Sequence, residues 1–590
     1  MLSREYFEVL RALAEHPAAT QREVAEQIGC ELESVTGTFE ALAAEGLVDE
    51  NGITAAGHEA LAPYRVENAV IMAAGMSTRF APVSYEKPKG LLSVRGDILV
   101  ERQIEQLIAA GIDDIIVVVG YKKELFFYLE DKYDCVRIVI NPEFASRNNN
   151  STLMRVRHQL GNTYVCTSDT WCADGYFRTY QYKAYYGVQY CGGDTEEWCV
   201  ETDDNGRITR VLMDSTSDWY MTDQAYFDRD FSKTFAQILE EIYDDPRTAG
   251  KLWEEILDDH VERLDMEALH LPDGTVYEFD SLDKMRDFDP MFLENVDIDI
   301  FDNIVEVLGC TKSEIHNVYP LKKGLTNLSC HFATNDGEYV YRHPGVGTEK
   351  MIDRTAELQA LELAKRIGLD KTFIYQDPVK GWKLSRFIPN CRELDPHDDA
   401  QLAEAMGLAR RLHTQDAVLD RRFDYLKEGM KYEALLREKG PIEVPGYDEL
   451  RAQAVRAKEL ADADGAPVCL THNDFFDLNL LYDEAGELSL IDWEYAGMSD
   501  YASDYGTFVV TGKLDDEEAD RALEHYFGRT PTLAEKRHNY VYVGLAGWCW
   551  YVWSLQKESE GDYVGDWLYT YYRYAKKYLP LALELYAQGE

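Results

Sequence analysis

The spacing of apolar residues changes character twice along the chain. In residues 1–64 it is helical. Thr20-Gln21-Arg22-Glu23 is a capping box that opens a short helix ending near Gly29. Val35, Phe39 and Leu42 share one face of a second helix closed by Gly46, and Leu47 to Thr54 predicts a hairpin turning at Asn51-Gly52. From Glu67 strands and helices alternate. Ala69-Val70-Ile71-Met72 predicts a short buried strand. Val100, Ile104, Leu107 and Ile108 predict an amphipathic helix closed at Gly111, and Ile115 to Val119 a strand apolar on both faces. That βαβ opening predicts an α/β domain over 65–292. A third unit, 300–590, begins with strand-like pieces (Cys330 to Thr334, Glu338 to Arg342) and turns helical after about Asp395.

At 590 residues the chain is too long for one core, so several domains are expected. The net charge of -47 changes the picture of partners. Such a surface repels nucleic acid and anionic membranes, although a local pocket with bound Mg²⁺ still accepts an anionic nucleotide. The first 64 residues resemble the winged helix-turn-helix of small bacterial regulators. They carry three Arg, no Lys and twelve carboxylates, and the presumed recognition helix holds Glu33 and Glu40. DNA affinity comes mostly from neutralising phosphates, so a docking or homo-oligomerisation module is expected here instead. Met1 to Glu15 has no apolar signal-type core, and Gly544 to Trp553 falls short of the roughly 20 residues that span a bilayer. Eleven cysteines predict reduced thiols in a cytoplasm. Cys166, Cys172, Cys191 and Cys199 lie close together without a CxxC pair and read as buried thiols.

Chemistry enters after the first α/β strand. Ala73-Ala74-Gly75-Met76-Ser77-Thr78-Arg79-Phe80 offers small residues whose N–H groups can receive phosphate oxygens. Lys87-Pro88-Lys89-Gly90-Leu91-Leu92 follows, and Arg79 and Lys89 supply cations for a triphosphate. With Glu101-Arg102-Gln103-Ile104-Glu105, Asn148-Asn149-Asn150, Glu197-Trp198 and Glu278-Phe279-Asp280, the segment resembles the sugar-nucleotidyltransferase family, most of all its bacterial CTP:phosphocholine cytidylyltransferases. The resemblance implies a Rossmann-like sheet and two aspartates, here Asp169 and Asp280, holding Mg²⁺ between CTP and the attacking phosphate ester. Thr167-Ser168-Asp169-Thr170-Trp171 departs from the commoner family pattern. Trp198 and Trp253 are candidates to cage a trimethylammonium group.

The second site is denser. Leu470-Thr471-His472-Asn473-Asp474-Phe475-Phe476-Asp477-Leu478-Asn479 precedes Leu490-Ile491-Asp492-Trp493-Glu494-Tyr495. An Asp five residues before an Asn, then a strand ending in Asp, is the layout of kinase-type phosphoryl transfer. Asp474 takes the hydroxyl proton while Asn479 and Asp492 hold Mg²⁺ on the nucleotide. These residues resemble the aminoglycoside and choline kinase superfamily, specifically the bacterial choline kinases, which implies a two-lobed protein-kinase-like fold. On that resemblance Lys323-Gly324-Leu325-Thr326-Asn327 covers the phosphates, Arg342 binds them, and Glu357 is its partner. Gly345-Val346-Gly347 reads as a turn. Trp550 and Trp553 match a W-x-x-W pair of choline kinases, and Tyr495 completes an aromatic cage. A quaternary ammonium cannot donate a hydrogen bond and is held by aromatic faces. Glu494 leaves room for a primary ammonium.

The two resemblances join, because phosphocholine is the product of one site and the substrate of the other. The expected reactions are ATP with choline to phosphocholine, then CTP with phosphocholine to CDP-choline and pyrophosphate. Ethanolamine or another amino alcohol is the alternative substrate, and a CDP-choline-sensing transcription regulator is the alternative role.

Overall fold

A computed structural model describes residues 2–192, 197–213, 219–321, 327–345, 353–561 and 563–588. They form two compact units, Met1–Pro320 and Leu321–Glu590. The break falls about 20 residues beyond the expected one at 300. The helix Asp299–Leu308 belongs with the first unit, where the Glu86 carboxylate accepts hydrogen bonds from the N–H groups of Asp299 (2.8 Å) and Ile300 (3.0 Å).

The first unit opens with helices Arg4–Glu15, Gln21–Ile28 and Leu32–Ala44, a hairpin of Val48–Asp49 with Gly52–Ile53, and the helix Ala55–Leu61. In the capping box the Thr20 hydroxyl accepts from the Glu23 N–H (3.3 Å), and the Glu23 carboxylate accepts from the Thr20 N–H (2.7 Å). Phe7, Leu10, Val24, Val35 and Leu42 make a small core. It continues into the α/β layer through Tyr64, which stacks on Tyr182 at 5.7 Å, with Phe7 against both rings.

The α/β sheet runs Ile208–Leu212, Cys199–Thr202, Trp219–Phe227, Thr163–Thr167, Asn68–Ala73, Ile115–Val119, Val136–Ile140. The last four strands are parallel, with Val70 between Val165 and Ile116. The apolar runs of Asn68–Ala73 and Ile115–Val119 follow from burial on both faces. Val100, Ile104 and Leu107 of the helix Leu99–Ala109 cover one face; Phe231, Phe235 and Trp253 cover the other. This is the expected Rossmann-like architecture. The carboxyl ends of Asn68–Ala73 and Thr163–Thr167 deliver Ala73 and Asp169 to the same edge, where such sheets bind ligands. Cys166, Cys172 and Cys199 are buried thiols outside any disulfide, and Cys191 is half-buried.

The second unit has a strand-rich lobe and a helical lobe, the kinase-like arrangement. Asn327–Thr334, Gly337–Pro344, Lys383–Arg386 and Phe373–Gln376 pair antiparallel in that order. The helical lobe is organised by Leu533–Ser559, capped by the Thr532 hydroxyl on the Glu535 N–H (3.2 Å) and buried from His538 to Ser554. Its glycines let the helix Asp566–Gln588 lie close: a Cβ at Gly547 would stand 2.7 Å from the Ala575 nitrogen.

Candidate active sites

In the first unit a cavity of about 350 Å³ is lined by Ala73, Ala74, Gly75, Ser77, Arg79, Lys89, Asp169 and Asp280, so residues scattered over two hundred positions meet in one place. Two local features bring them together. Ser77 adopts a left-handed conformation (φ 48°) that turns the chain after the strand. Gly90 lets the Lys89 turn reach the strand end, since a Cβ there would stand 2.6 Å from the Ser168 hydroxyl. Lys89 Nζ then lies 2.9 Å from Asp169 Oδ2. Burial opposes the Lys89 charge, but Asp169, Glu278 and Asp280 outweigh it and raise its pKa. Burial likewise opposes the Asp169 charge, and Lys89 more than compensates, holding it below the usual range. Asp280 sits 2.5 Å from Lys284 and 4.0 Å from the exposed Arg79. Despite burial, its hydrogen bonds with Glu197 and Lys284 hold it far below the ordinary range. Carboxylate oxygens of Glu197, Glu278 and Asp280 lie within 4.8 Å of one another.

Two expected residues are placed elsewhere. Trp253 is 1% exposed and belongs to the sheet core, stacked on Tyr186 (5.4 Å) and packed by Phe227 and Phe235. Its backbone N–H donates to Asn149 Oδ1 (2.7 Å), which fixes the start of its helix. Trp198 is half-buried against the same core. Neither lines the cavity.

Asp223 and Glu278 do line it; Asp223 escaped the sequence reading, and Glu278 entered it only as part of a motif, without a role. Between Tyr186 opposite Ala225 and Val188 opposite Met221 the register slips, so Asp223 sits on a bulge in left-handed backbone (φ 57°). Burial, then Asp169, pushes its carboxyl up to about 7. The Tyr186 hydroxyl bonds both Asp223 (3.3 Å) and Glu254 (3.1 Å), and burial, then Asp223, lifts Glu254 to about 8. The available signal was a carboxylate inside the strand-like run Tyr220 to Phe227, where β-propensity disfavours it.

In the second unit a cavity of about 520 Å³ is lined by Asn327, Arg342, Asp474, Asp492, Glu494, Tyr495, Trp550 and Trp553. Asn473 (φ 66°) and Asp492 (φ 65°) are both left-handed, turns that aim the acidic side chains of Asp474 and Asp492 at one space. Asp504 clamps the loop by accepting from the N–H groups of His472 (2.9 Å) and Asn473 (2.6 Å), and buried His413 pairs with Asp504 at 2.9 Å. Asn479 Nδ2 donates to Asp474 Oδ2 at 3.0 Å. Burial, then Asp492 and Glu494, raises the Asp474 carboxyl well above its usual value.

Arg342 bonds Glu357 and, at 3.2 Å, Asp492. Glu357 lies beneath the cavity and also receives Arg354 (2.9 Å) and Gln376 (2.8 Å). Glu494 accepts from Asn327 (2.8 Å) and stands 3.7 Å from Arg342 and 3.9 Å from Arg354. Its charge is thus compensated in part within the protein, although burial, then Asp492, still raises its pKa. Thr326, the rest of the expected phosphate-covering loop before Asn327, and Val346-Gly347 lie outside the described residues.

The Trp550 and Trp553 rings stand perpendicular at 5.9 Å, and Tyr495 meets Trp550 edge-on at 5.6 Å. Both indoles are 7% exposed, so they belong to the core and to the cavity wall at once. Trp567 and Tyr571, one helical turn apart and stacked at 5.6 Å, add a further wall. Among 39 tyrosines their i, i+4 spacing carried no distinguishing signal.

Residues 69–172 match the family of the MobA-like NTP transferase domain, and residues 317–537 the phosphotransferase enzyme family. The chain is 32% identical over 225 residues to the 2-aminoethylphosphonate cytidylyltransferase of Lancefieldella rimae, covering 38% of this chain and 92% of that protein. It is also 32% identical over 218 residues to the choline-phosphate cytidylyltransferase of Streptococcus pneumoniae, covering 37% of this chain and 95% of that one. Through its first unit the chain belongs to the MobA-like NTP transferase family. A solved choline kinase of Streptococcus pneumoniae is 28% identical, covering 48% of this chain and 98% of that one, with a TM-score of 0.43. The chain thus joins a nucleotidyltransferase domain to a phosphotransferase-family domain.

Proposed function

We propose that the chain makes CDP-choline in two steps. In the second unit ATP phosphorylates choline, and in the first unit phosphocholine attacks the α-phosphorus of CTP and pyrophosphate leaves. The observation that carries this is the aromatic wall of Tyr495, Trp550, Trp553, Trp567 and Tyr571 beside Asp474, in a cavity where Glu494 already accepts a hydrogen bond from Asn327. Such a wall suits a cation that donates no hydrogen bond. The two relatives differ in substrate, one acting on choline phosphate and the other on a phosphonate. A kinase site in the same chain favours the phosphate ester, because a phosphonate carries its phosphorus on carbon and needs no kinase.

Asp474 accepts the choline hydroxyl proton as the oxygen attacks the γ-phosphorus. Its raised pKa fits a base whose charge is completed only when cations arrive with the nucleotide. Asn479 and Asp492 would hold Mg²⁺, as would Asp169 and Asp280 in the first unit; all offer the hard oxygens that ion prefers, with the three aspartates on cavity walls and Asn479 bonded to the cavity residue Asp474. The ion would supply charge neutralisation for the phosphates. Ala73 to Ser77 would receive CTP phosphate oxygens on backbone N–H groups, with Lys89 and Arg79 beside them. Asn327 and Arg342 would face the ATP phosphates. Asp223 and Glu278 would complete the anionic side of the first cavity.

Purified chain incubated with ATP, CTP and Mg²⁺ against choline, ethanolamine and 2-aminoethylphosphonate tests the reading, with products identified by mass. CDP-choline should require both nucleotides, and phosphocholine should accumulate when CTP is omitted. A cytidylyl product of 2-aminoethylphosphonate formed faster than CDP-choline, without ATP, would replace the reading.

Trp550→Ala and Trp553→Ala should each raise the KM for choline about threefold to tenfold or more, since roughly 1–2 kcal/mol of cation–π attraction is lost, and leave the KM for ATP nearly unchanged. A lower Tm beside an unchanged choline KM would reduce both indoles to core packing.

We also propose residues 1–64 as a winged helix-turn-helix module that serves docking. Phe7 and Tyr64 are spent on Tyr182, and the exposed helix Leu32–Ala44 presents Glu33 and Glu40. Fluorescent duplex DNA at physiological salt should show no binding to the full chain, and tight sequence-specific binding would overturn the assignment. We place the chain in the cytoplasm, where ATP and CTP are made; among the described residues no helix is long and apolar enough to cross a membrane.

A further inference from the structure

The strand order lays the first cavity out as a row. Thr163–Thr167 leads to Asp169, its neighbour Asn68–Ala73 to the phosphate-receiving turn, and Val136–Ile140, two strands further on, to the segment 141–149. Strands stand ~4.8 Å apart, so this third segment starts on the order of 10 Å from the turn, on the side away from Asp169. That is within the span of a nucleoside triphosphate. The wall there has its own character: Phe144, Arg147, Asn148, Asn149 and Thr152, an aromatic ring among hydrogen-bonding groups.

Most of these polar groups are already engaged. Asn141 Nδ2 donates to Ser151 (2.9 Å) and Thr152 (3.2 Å), Asn148 Nδ2 to the Gly250 carbonyl (3.1 Å), and Asn149 Nδ2 to Glu254 (3.2 Å). Arg147 differs. Its guanidinium carbon lies 3.8 Å from the centroid of the Tyr243 ring, and Nη2 donates to Thr248 Oγ1 (2.9 Å). Tyr243 is itself fixed, its hydroxyl donating to Glu143 (2.8 Å). Among the described residues the Arg147 Nε is buried without a hydrogen-bond partner. A buried donor left unpaired is costly to the free protein. A guanidinium held on a ring, with donors to spare at a cavity wall, is a preorganised fork for two adjacent acceptors.

The base of the nucleotide offers such a pair. Cytosine presents O2 and N3 side by side, both acceptors. Uracil presents O2 beside an N3–H donor, so the same fork meets a donor and one polar group on each side goes unpaired. We propose that Arg147 reads the O2–N3 edge of cytosine and so makes the first unit select CTP over UTP. The proposal rests on the nucleotidyl-transfer reading and adds to it the residue that chooses the base. The turn at Ala73 to Ser77, Lys89 and the carboxylates would face parts that CTP and UTP share, and those groups do not tell the two apart.

The test measures kcat/KM for CTP and for UTP in the full chain, with added phosphocholine and no ATP. Wild type should favour CTP. Arg147→Met should lower kcat/KM for CTP roughly 10- to 100-fold, mostly through KM, the size of lost hydrogen bonds to a charged group, and leave UTP within about threefold. Inhibition by pyrophosphate, which carries no base, should not change. Arg147→Lys keeps a cation over Tyr243 and loses the fork, so it should hold the wild-type Tm and still lose most of the preference for CTP. A CTP-to-UTP ratio within about twofold of wild type in both variants would overturn the assignment, as would a wild type indifferent to the base. Equal losses for CTP and UTP, or weaker inhibition by pyrophosphate, would overturn it too, making Arg147 a packing or phosphate residue. A wild-type chain that transfers neither nucleotide fails the nucleotidyl-transfer reading instead. Affinities for CMP and UMP, measured with ADP filling the second unit, then read Arg147 by the same ratio.

Discussion

Asp474→Asn should lower ATP-dependent phosphorylation of choline by about 10²- to 10⁴-fold, the usual worth of a positioned general base, and leave cytidylyl transfer from added phosphocholine at the wild-type rate. The substitution preserves shape, and its side-chain oxygen can still accept from Asn479, now 3.0 Å from Asp474 Oδ2. The loss therefore reports proton acceptance and not collapse of the loop, which Asp504 clamps independently through the N–H groups of His472 and Asn473.

Stability should move the other way. Burial first, then Asp492 and Glu494, raises the Asp474 carboxyl well above its usual value. An unfolded aspartate ionises near pH 3.9. Between that pH and the raised folded value the native state binds more protons than the unfolded one, so this group destabilises the fold increasingly as pH rises. Asparagine removes the penalty. In Mg²⁺-free buffer the Tm of the variant should exceed that of wild type at neutral pH and converge on it below about pH 3, where Asp474 is protonated in both states. Loss of both activities in a folded variant would defeat the assignment of the two reactions to separate sites.

Lys89→Met should slow cytidylyl transfer by about 10²- to 10³-fold, the cost of removing one preorganised charge from a developing anion, and spare the kinase. Lys89 is the buried cation of a cavity that also holds Asp169, Asp223, Glu278 and Asp280. Arg79 is 80% exposed and 4.0 Å from the nearest of these carboxylates, too solvated to replace it. Without Lys89, the largest contribution opposing the effect of burial on Asp169 is gone and its pKa rises. If ionised Asp169 is required, the acidic limb of the residual pH–rate profile should move to higher pH. Lys89→Arg should restore part of the rate. An unchanged rate in Lys89→Met would remove this side chain from the reaction.

The sequence by itself determined the elements and both chemistries. The apolar runs at Ala69 to Met72 and Ile115 to Val119 lie in strands buried on both faces, and a strand so buried has no polar face to disguise it. The spacing from Asp474 through Asn479 to Asp492 was legible because the strands and tight turns that carry these residues are local, and local geometry is written in consecutive residues. What only the tertiary structure decided depends on which distant segments meet. Trp253 and Trp550 are both aromatics near a motif, yet one faces the sheet core and the other a cavity, a choice made by how each helix is rotated against its neighbours. Asp223 became a cavity residue through a register slip that no spacing rule encodes. Arg342 and Lys383 are 41 positions apart, and only strand pairing placed one beside the other, both next to Glu357. Burial and pairing of charge are properties of the assembled neighbourhood, which the spacing of residues along the chain does not encode.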